Sequence, residues 1–294
     1  MKKILITGSN SFVGTSFEDS LKKFGEQYLV KTISLRKDDW RNYDFSQFDS
    51  VFHVAGIAHA DTGAVSEEQQ KLYYDVNCNL AVETANKAKK AGVKQFIYMS
   101  SIIVYGNSTS MLQDNAITET TEPSPANFYG DSKLKAENLL RQLENDSFKI
   151  AIIRPPMIYG KGCKGNYPKL ARLAAFAPIF PNVKNQRSML YVGNLCEFIR
   201  LLIENNEHGI FFPQNSEYVN TSELVKTVAR FHGKDVYLTK MFNPIIRALI
   251  GTNNKVGQLC AKCFGNMVYD KNLSNYKENY NIYDFEASIK ETEC

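Results

Sequence analysis

No stretch of this chain stays apolar long enough to cross a membrane: its hydrophobic runs are short and broken by charge, well below the ~20 positions that a spanning helix needs. The first run, Ile4-Leu5-Ile6-Thr7, meets Gly8 after four positions, too short for the core of a secretory signal. A cytoplasmic protein is therefore expected. Neither sign of charge dominates. Thirty-five Lys and Arg stand against 31 Asp and Glu, a scattered net of +4, which argues against nucleic acid as a partner. Of six cysteines only Cys260 and Cys263 are close, and no second Cys or His pair completes a zinc site. Reduced thiols and no metal site are expected. What remains is 294 residues, 44% apolar and 22% charged, enough for one large or two interleaved domains.

The chemistry-bearing patterns begin at once. Residues 3–7 are a short β-rich run, followed by Gly8-Ser9-Asn10-Ser11-Phe12-Val13-Gly14 and then by Phe17, Leu21 and Phe24 at helical spacing. A strand, a glycine turn and a helix in that order predict a dinucleotide-binding unit. Gly8 serves the tight turn, Gly14 close helix packing, and the helix start at Ser11, Phe12 and Val13 offers amides to a pyrophosphate. Ser11 stands where the fingerprint has its middle glycine, and its hydroxyl is in reach of a phosphate. A second strand over 29–35 leads into Arg36, Lys37 and Asp38. An acid at this strand end holds the ribose hydroxyls of NAD, whereas arginine accommodates the 2′-phosphate of NADP. The two basic residues come first, so NADP(H) is the preferred cofactor, and Asp38 keeps NAD(H) open.

Residues 50–56 read as a buried strand ending in Val54, Ala55 and Gly56, small enough for a cofactor to approach the backbone. His53, inside it, reads as a core histidine; His59, in the loop beyond, is better placed to meet a ligand. Residues 67–91 read as one long helix, and Asn77 within it as an amide tying the sheet to the site. A strand over 95–99 ends at Met99, Ser100 and Ser101, where doubly wound sheets hold ligands. Tyr129 and Lys133 then lie four apart in a helical stretch, so phenol and ammonium share one face. A phenol with a pKa near ~10 moves protons poorly at neutral pH, and a neighbouring cation stabilises its anion. Alone, the pair is more readily read as a surface tyrosine and a solvated lysine that share a helix face.

Its neighbours change the odds. Thr7-Gly8 through Gly14, His53-Val54-Ala55-Gly56, Asp75-Val76-Asn77, Tyr98-Met99-Ser100-Ser101, Val104-Tyr105-Gly106, Tyr129 to Lys133, Ala136-Glu137, Arg154-Pro155-Pro156 and Arg187-Ser188 follow one another in order. With these the chain resembles the extended short-chain dehydrogenase/reductases, the nucleotide-sugar epimerase/dehydratase family, over about its first two thirds. The resemblance implies an α/β fold, a doubly wound parallel (Rossmann) sheet with a smaller, interleaved C-terminal substrate domain. Residues 1–155 would form the NAD(P)-binding domain, with returns near 186–213, and 156–294 mainly the substrate domain. It implies Tyr129 as general acid/base, Lys133 as the residue that tunes it and grips the nicotinamide ribose, and Ser101 as the hydroxyl on the reacting sugar oxygen. Ser100, Met99, Asn77 and Pro156 would lie by the cofactor, and Arg187 would clamp the nucleotide diphosphate. Asn166, ending the glycine-rich basic loop 160–166, is a candidate phosphate or sugar contact, with a plain surface loop the alternative.

Dehydratases of this family carry an acidic pair directly after the Ser/Thr. Here Ile102 and Ile103 stand there, and neither moves a proton, so dehydration is disfavoured. Residues 148–160, Gly165-Asn166 and Asn185-Gln186-Arg187-Ser188 are similar to capsule and O-antigen reductases of UDP-4-keto-6-deoxy-N-acetylhexosamines, enzymes of surface polysaccharide synthesis. Arg36 and Lys37 tip the reading to such a reductase; a UDP-glucose or UDP-GlcNAc 4-epimerase is the alternative. A UDP-sugar is the expected partner, and homodimerisation stays open. A non-catalytic cofactor sensor is disfavoured, because a sensor needs no proton donor. Residues 190–192 and a helix over 195–203 are expected to return to the main sheet, 209–213 to add a last strand, and Thr221 to open another helix. The amphipathic stretch 241–264 is expected to pack on the substrate domain, with membrane-surface docking through Arg247, Lys255 and Lys262 the alternative.

Overall fold

Three successive apolar residues, Ile4, Leu5 and Ile6, describe a strand covered on both faces, and all three are fully buried in β1 (Lys2–Thr7). The computed structural model describes residues 1–57, 66–106, 116–250, 252 and 254–294. After β1 come α1 (Phe12–Leu21), β2 (Tyr28–Ile33), β3 (Ser50–His53), α2 (Glu67–Tyr74), α3 (Leu80–Lys90), β4 (Gln95–Met99), α4 (Phe128–Arg141) and β5 (Lys149–Ile153). The chain continues through β6 (Met157–Tyr159), α5 (Asn166–Phe176), β7 (Ile179–Pro181), β8 (Met189–Tyr191), α6 (Val192–Glu204) and β9 (Gly209–Phe211). It closes with α7 (Thr221–Phe231), β10 (Tyr237–Thr239), α8 (Asn243–Ile250), α9 (Lys255–Phe264) and α10 (Phe285–Glu293).

Six strands form one parallel sheet in the order β2-β1-β3-β4-β5-β9. Because successive strand side chains face opposite ways, its residues divide between two cores. Ile4, Ile6, Phe52, Ile97 and Ile153 join Phe17 of α1 and Leu195, Phe198 and Ile199 of α6. Leu5, Val51, Phe96, Tyr98 and Ile152 join Ala81 and Ala85 of α3 and Ala136 and Leu140 of α4. This is the doubly wound parallel arrangement expected. The chain leaves β1 for β2 on one side and returns to β3 on the other, so a crevice opens above β1 and β3, where such sheets take ligands.

Two expectations are corrected. Of the stretch 190–192, residues 190 and 191 do not return to the main sheet: they lie in β8, which pairs with β6 in a separate two-stranded sheet. By contrast α6, which holds 195–203, does pack on the main sheet, and β9 joins it beside β5. The helix expected over 67–91 is interrupted by a π turn at Asp75–Asn79, where the Leu80 amide reaches back five residues to the Asp75 carbonyl. Beyond the sheet, α7 starts on an Asn220 cap that accepts from the Ser222 and Glu223 amides and buries Leu224, Val225 and Val228. A second small sheet pairs β7 with β10.

Candidate active site

The sheet's C-terminal edge brings the first group of expected residues together. Gly8 has φ +124°, and a Cβ there would stand 2.7 Å from the Ala55 amide nitrogen, so glycine alone permits this turn. The Val54 and Ala55 amides both donate to the Thr7 carbonyl, at 3.0 and 2.9 Å, which holds the tip of β3 against β1. Ser11 caps α1, its hydroxyl accepting from the Gly14 amide at 2.9 Å. Its oxygen is thus engaged as an acceptor, while its proton stays available to a phosphate. The Phe12 and Val13 amides fall in the first turn and have no carbonyl partner within the helix, and the Phe12 ring lies beside Gly160. A Cβ on Gly56 would come within 3.0 Å of Asn77 Oδ1 and 3.3 Å of Lys133 Nζ. Glycine here is what lets the loop pass next to the lysine, and the cradle fits a dinucleotide laid over α1 and the tips of β1 and β3.

The second group meets at the tip of β4. Asn127 caps α4 through the Gly130 amide at 2.9 Å, which fixes the helix just ahead of Tyr129. Lys133, buried one turn on, donates from Nζ to the Met99 carbonyl at 2.8 Å and lies 4.7 Å from the centre of the Tyr98 ring. The Tyr129 phenol lies near the Ser101 hydroxyl, which favours its ionised form, and sits 6.4 Å, ring to ring, from Tyr73. Asn77 is wholly buried: Oδ1 accepts from the Ile57 amide at 2.9 Å, and Nδ2 donates to the Ile57 carbonyl and to Ser132 Oγ, each at 3.1 Å. It therefore clamps the loop after β3 onto α4. The Tyr98 hydroxyl completes the bracket by donating to the Asn77 carbonyl at 2.8 Å.

Electrostatics at this point differ from the expectation. Burial raises the Tyr129 phenol above its usual value, with the Ser101 hydroxyl pulling the other way. Lys133 does not offset this, because its ammonium is turned to Met99 and is itself depressed to about 8 by burial, Glu137 opposing. Below about pH 8 Lys133 is protonated in folded and unfolded chains alike. Between there and its ordinary 10.5 the unfolded chain binds the extra proton, so stability rises with pH across that window. Each unit of the gap corresponds to about 1.4 kcal/mol. Urea unfolding at pH 7.5, 8.5 and 9.5 should show this rise, and Lys133→Met should flatten it; an equal slope in the variant would refute the origin given.

A family model described as the NAD dependent epimerase/dehydratase family matches residues 4–212, the stretch that contains every group above. The chain belongs to this family. The UDP-glucose 4-epimerase of Vibrio cholerae is 32% identical over 250 residues, 78% of this chain and 75% of that protein. An N-acetyl-alpha-D-glucosaminyl-diphospho-ditrans,octacis-undecaprenol 4-epimerase of Escherichia coli O157:H7 is 30% identical over 252 residues, 79% of this chain and 73% of the other. In fold, the crystal structure of UDP-N-acetylglucosamine 4-epimerase from Bacillus cereus matches with a TM-score of 0.76 at 19% identity, covering 100% of this chain and 98% of that one.

Beneath the β4 tip of this epimerase/dehydratase-family protein, Ser100 rests on a buried pair, Glu137 and Arg154, to which sequence reasoning gave no role. Ser100 Oγ donates to Glu137 Oε1. Arg154 grips the same carboxylate, through Nη2 at 2.5 Å and Nε at 3.1 Å, and donates from Nη1 to the Tyr105 hydroxyl at 2.6 Å. Glu137 and Arg154 are both buried, and the Tyr269 hydroxyl donates to the Arg154 carbonyl at 2.9 Å. Two signals pointed there: Glu137 follows Lys133 by four on one helix face, and Arg154 is a charge closing the apolar run 150–153.

The other expected residues are less closely assembled. Pro156 is buried next to Pro155, whose carbonyl accepts from the Ile102 amide at 2.9 Å. Arg187 is half-buried and spends Nη1 on the Gly265 carbonyl at 3.0 Å; no carboxylate among the described residues pairs with it. Asn166 opens α5, exposed, with no hydrogen bond to Tyr129, Ser101 or Lys133 among the described residues. Arg36 and Lys37 are exposed and lie beyond the true end of β2 at Ile33. His53 is buried with Nδ1 2.9 Å from Thr7 Oγ1, stacked near Phe96 and Tyr98, and burial holds its pKa down to about 3. Its Nε2 has no partner among the described residues, so the core histidine is only half satisfied. His59 lies outside the described residues.

Proposed function

We propose that this protein is an NAD(P)-dependent oxidoreductase acting at C4 of a UDP-linked hexose, and that it reduces a UDP-4-keto-6-deoxy-N-acetylhexosamine. The observation that carries this reading is the convergence of the Tyr129 phenol, the Ser101 hydroxyl and the Lys133 ammonium on the tip of β4. Gly8, Ser11, Phe12, Val13, Gly14, Val54, Ala55, Gly56, Asn77, Met99, Ser100, Lys133 and Pro156 would hold the cofactor. When bound, a nicotinamide supplies or takes the hydride. Tyr129 gives a proton to the sugar oxygen as its carbon is reduced, or removes it in the reverse direction, so that no charge is stranded on that oxygen. Ser101 orients the oxygen and, by donating to the phenolate, stabilises Tyr129 after its proton has left. Lys133 would grip the nicotinamide ribose of a bound cofactor and keep positive charge beside the phenolate. Arg187, with donors to spare, is suited to the substrate diphosphate. Ile102 and Ile103 offer no acid or base for a dehydration.

The nucleotide end favours NADP(H). Asp38 is paired with Arg41, which also binds Glu83 through Nη2 at 2.7 Å, so the acid nearest Arg36 and Lys37 is engaged. Arg36 and Lys37 remain exposed, with no ion pair among the described residues. A second reading, 4-epimerisation with retained NAD(H), is favoured by the names of the two curated relatives. The test is direct. With NADPH and a UDP-4-keto-6-deoxy-N-acetylhexosamine, one equivalent of absorbance at the reduced-nicotinamide band should be lost per product formed. Interconversion of UDP-glucose or UDP-GlcNAc with its 4-epimer, without net NADPH consumption, would replace the reductase reading by the epimerase.

A further inference from the structure

The chain's small net charge conceals a strong asymmetry. Residues 161–187 and 234–262 together hold eleven Lys and Arg against a single acid, Asp235, so these two segments carry +10 of a total of +4. They are adjacent in the fold. β7 and β10 pair in register, the Tyr237 amide donates to the Pro178 carbonyl at 2.9 Å, and the Asn182 amide donates to the Thr239 carbonyl at 2.8 Å. Lys234 Nζ donates to the Ala175 carbonyl at 2.6 Å and lies over the Phe176 ring. Asn243 Nδ2 ties the start of α8 to the Asn182 carbonyl at 2.8 Å, and Phe180 meets Phe264 at the end of α9, ring centres 5.7 Å apart.

The same segments carry large apolar side chains that the described residues leave mostly exposed. Phe176 is 77% exposed, Met241 72%, Tyr237 71%, Ile245 60%, Leu259 59% and Ile179 51%. Ile179 and Tyr237 are direct cross-strand partners on one face of their sheet, while Phe180, pointing the other way, is buried. Met241 lies in the turn just before α8 and Ile245 in the helix's first turn, while Ile246 supplies the buried contact. The amphipathic stretch expected to pack on the substrate domain therefore does so with only half its apolar residues. In the same segments Arg172, Lys184, Lys240, Arg247 and Lys262 are exposed and have no ion-pair partner among the described residues.

We propose that this face docks the protein on an anionic phospholipid bilayer, with the apolar side chains entering the headgroup region and the cations meeting lipid phosphates. Apolar residues ringed by lysine and arginine, with scarcely an acid among them, are what an interfacial membrane contact requires. A second copy of the chain suits the face badly, because a two-fold contact would set the same cationic patch against itself. The proposal concerns a surface made by β7, β10, α5, α8 and α9 and does not depend on which sugar is the substrate.

The test is flotation of the full chain with vesicles of phosphatidylglycerol and phosphatidylethanolamine, compared with vesicles of phosphatidylcholine alone. Partition onto the anionic vesicles should be at least tenfold stronger and should fall as salt is raised. Ile245→Glu with Leu259→Glu should reduce it at least tenfold, and so should Arg247→Glu with Lys262→Glu, with melting temperatures near the parent's because all four side chains are exposed. No flotation on anionic vesicles, or flotation indifferent to both variants, overturns the proposal. So does a parent that self-associates in sedimentation, or that binds only through a protein partner, when the Ile245/Leu259 variant loses that association and the parent shows no lipid binding.

Discussion

Tyr129→Phe should lower kcat by about 10²–10⁴-fold, the range over which a positioned general acid or base contributes, while cofactor affinity changes by less than about threefold. The separation follows from the geometry. Lys133 is held by the Met99 carbonyl and Asn77 by Ile57 and Ser132, so the nucleotide side of the site does not lean on the phenolic oxygen. Tyr129 instead has the Ser101 hydroxyl as its polar neighbour. Steady-state turnover beside equilibrium titration of NADPH tests both halves. A variant that turns over at the parent rate would remove Tyr129 from the reaction, and a variant that also loses cofactor would mean that the phenol is a structural post. The fold should survive, since the ring and its contact with Tyr73 are kept.

The largest effect on stability is expected from Glu137→Gln. The carboxylate is 1% exposed and receives three hydrogen bonds from Arg154 and one from Ser100. Neutralising it leaves the guanidinium, itself only 5% exposed, without a counter-charge. Removing one partner of a buried pair costs about 3–5 kcal/mol, whereas replacing both by apolar groups of similar volume is often neutral or better. Urea denaturation should accordingly show Glu137→Gln destabilised by about 3–5 kcal/mol and Glu137→Leu/Arg154→Met recovering most of the loss. A single variant within about 1 kcal/mol of the parent would mean that water or a rearranged Tyr105 compensates. The paired substitution carries its own information about function, because it restores packing without restoring the acceptor that holds Ser100.

Much of this site could be read along the chain because its residues lie at ends of elements that announce themselves. The run 95–99 is β-rich and bounded by serines, and it forms β4 with those limits. Gly8 and Gly14 bracket a turn whose composition has few other uses. The spacing of Tyr129 and Lys133 is helical and the helix is there. What stayed hidden depends on partners far away in sequence. Glu137 and Arg154 each look like an ordinary helix or strand-end charge until the sheet places them together, 17 residues apart. The strand before Arg36 ends earlier than its apolar content suggests, at Ile33, because propensity marks strand positions but pairing with β1 decides where they stop. Helical periodicity in 241–264 likewise identifies an apolar stripe without saying whether anything lies over it. Exposure of Met241 and Ile245 is a property of the whole fold.

The π turn at Asp75–Asn79 makes the number of residues, and not only their kind, a determinant of the site. A regular helix advances 100° per residue, so the extra residue stored there sets α2 and α3 in a phase that an uninterrupted helix could not give them. Asn77, within the turn, reaches Ile57 and Ser132, Tyr73 just before it faces Tyr129, and Ala81 and Ala85 just after it face the sheet. Deleting Val76 alone would let the segment run as a plain α-helix and swing one side by a quarter turn against the other. Point substitutions here act on one contact; a one-residue shortening would act on all of them at once.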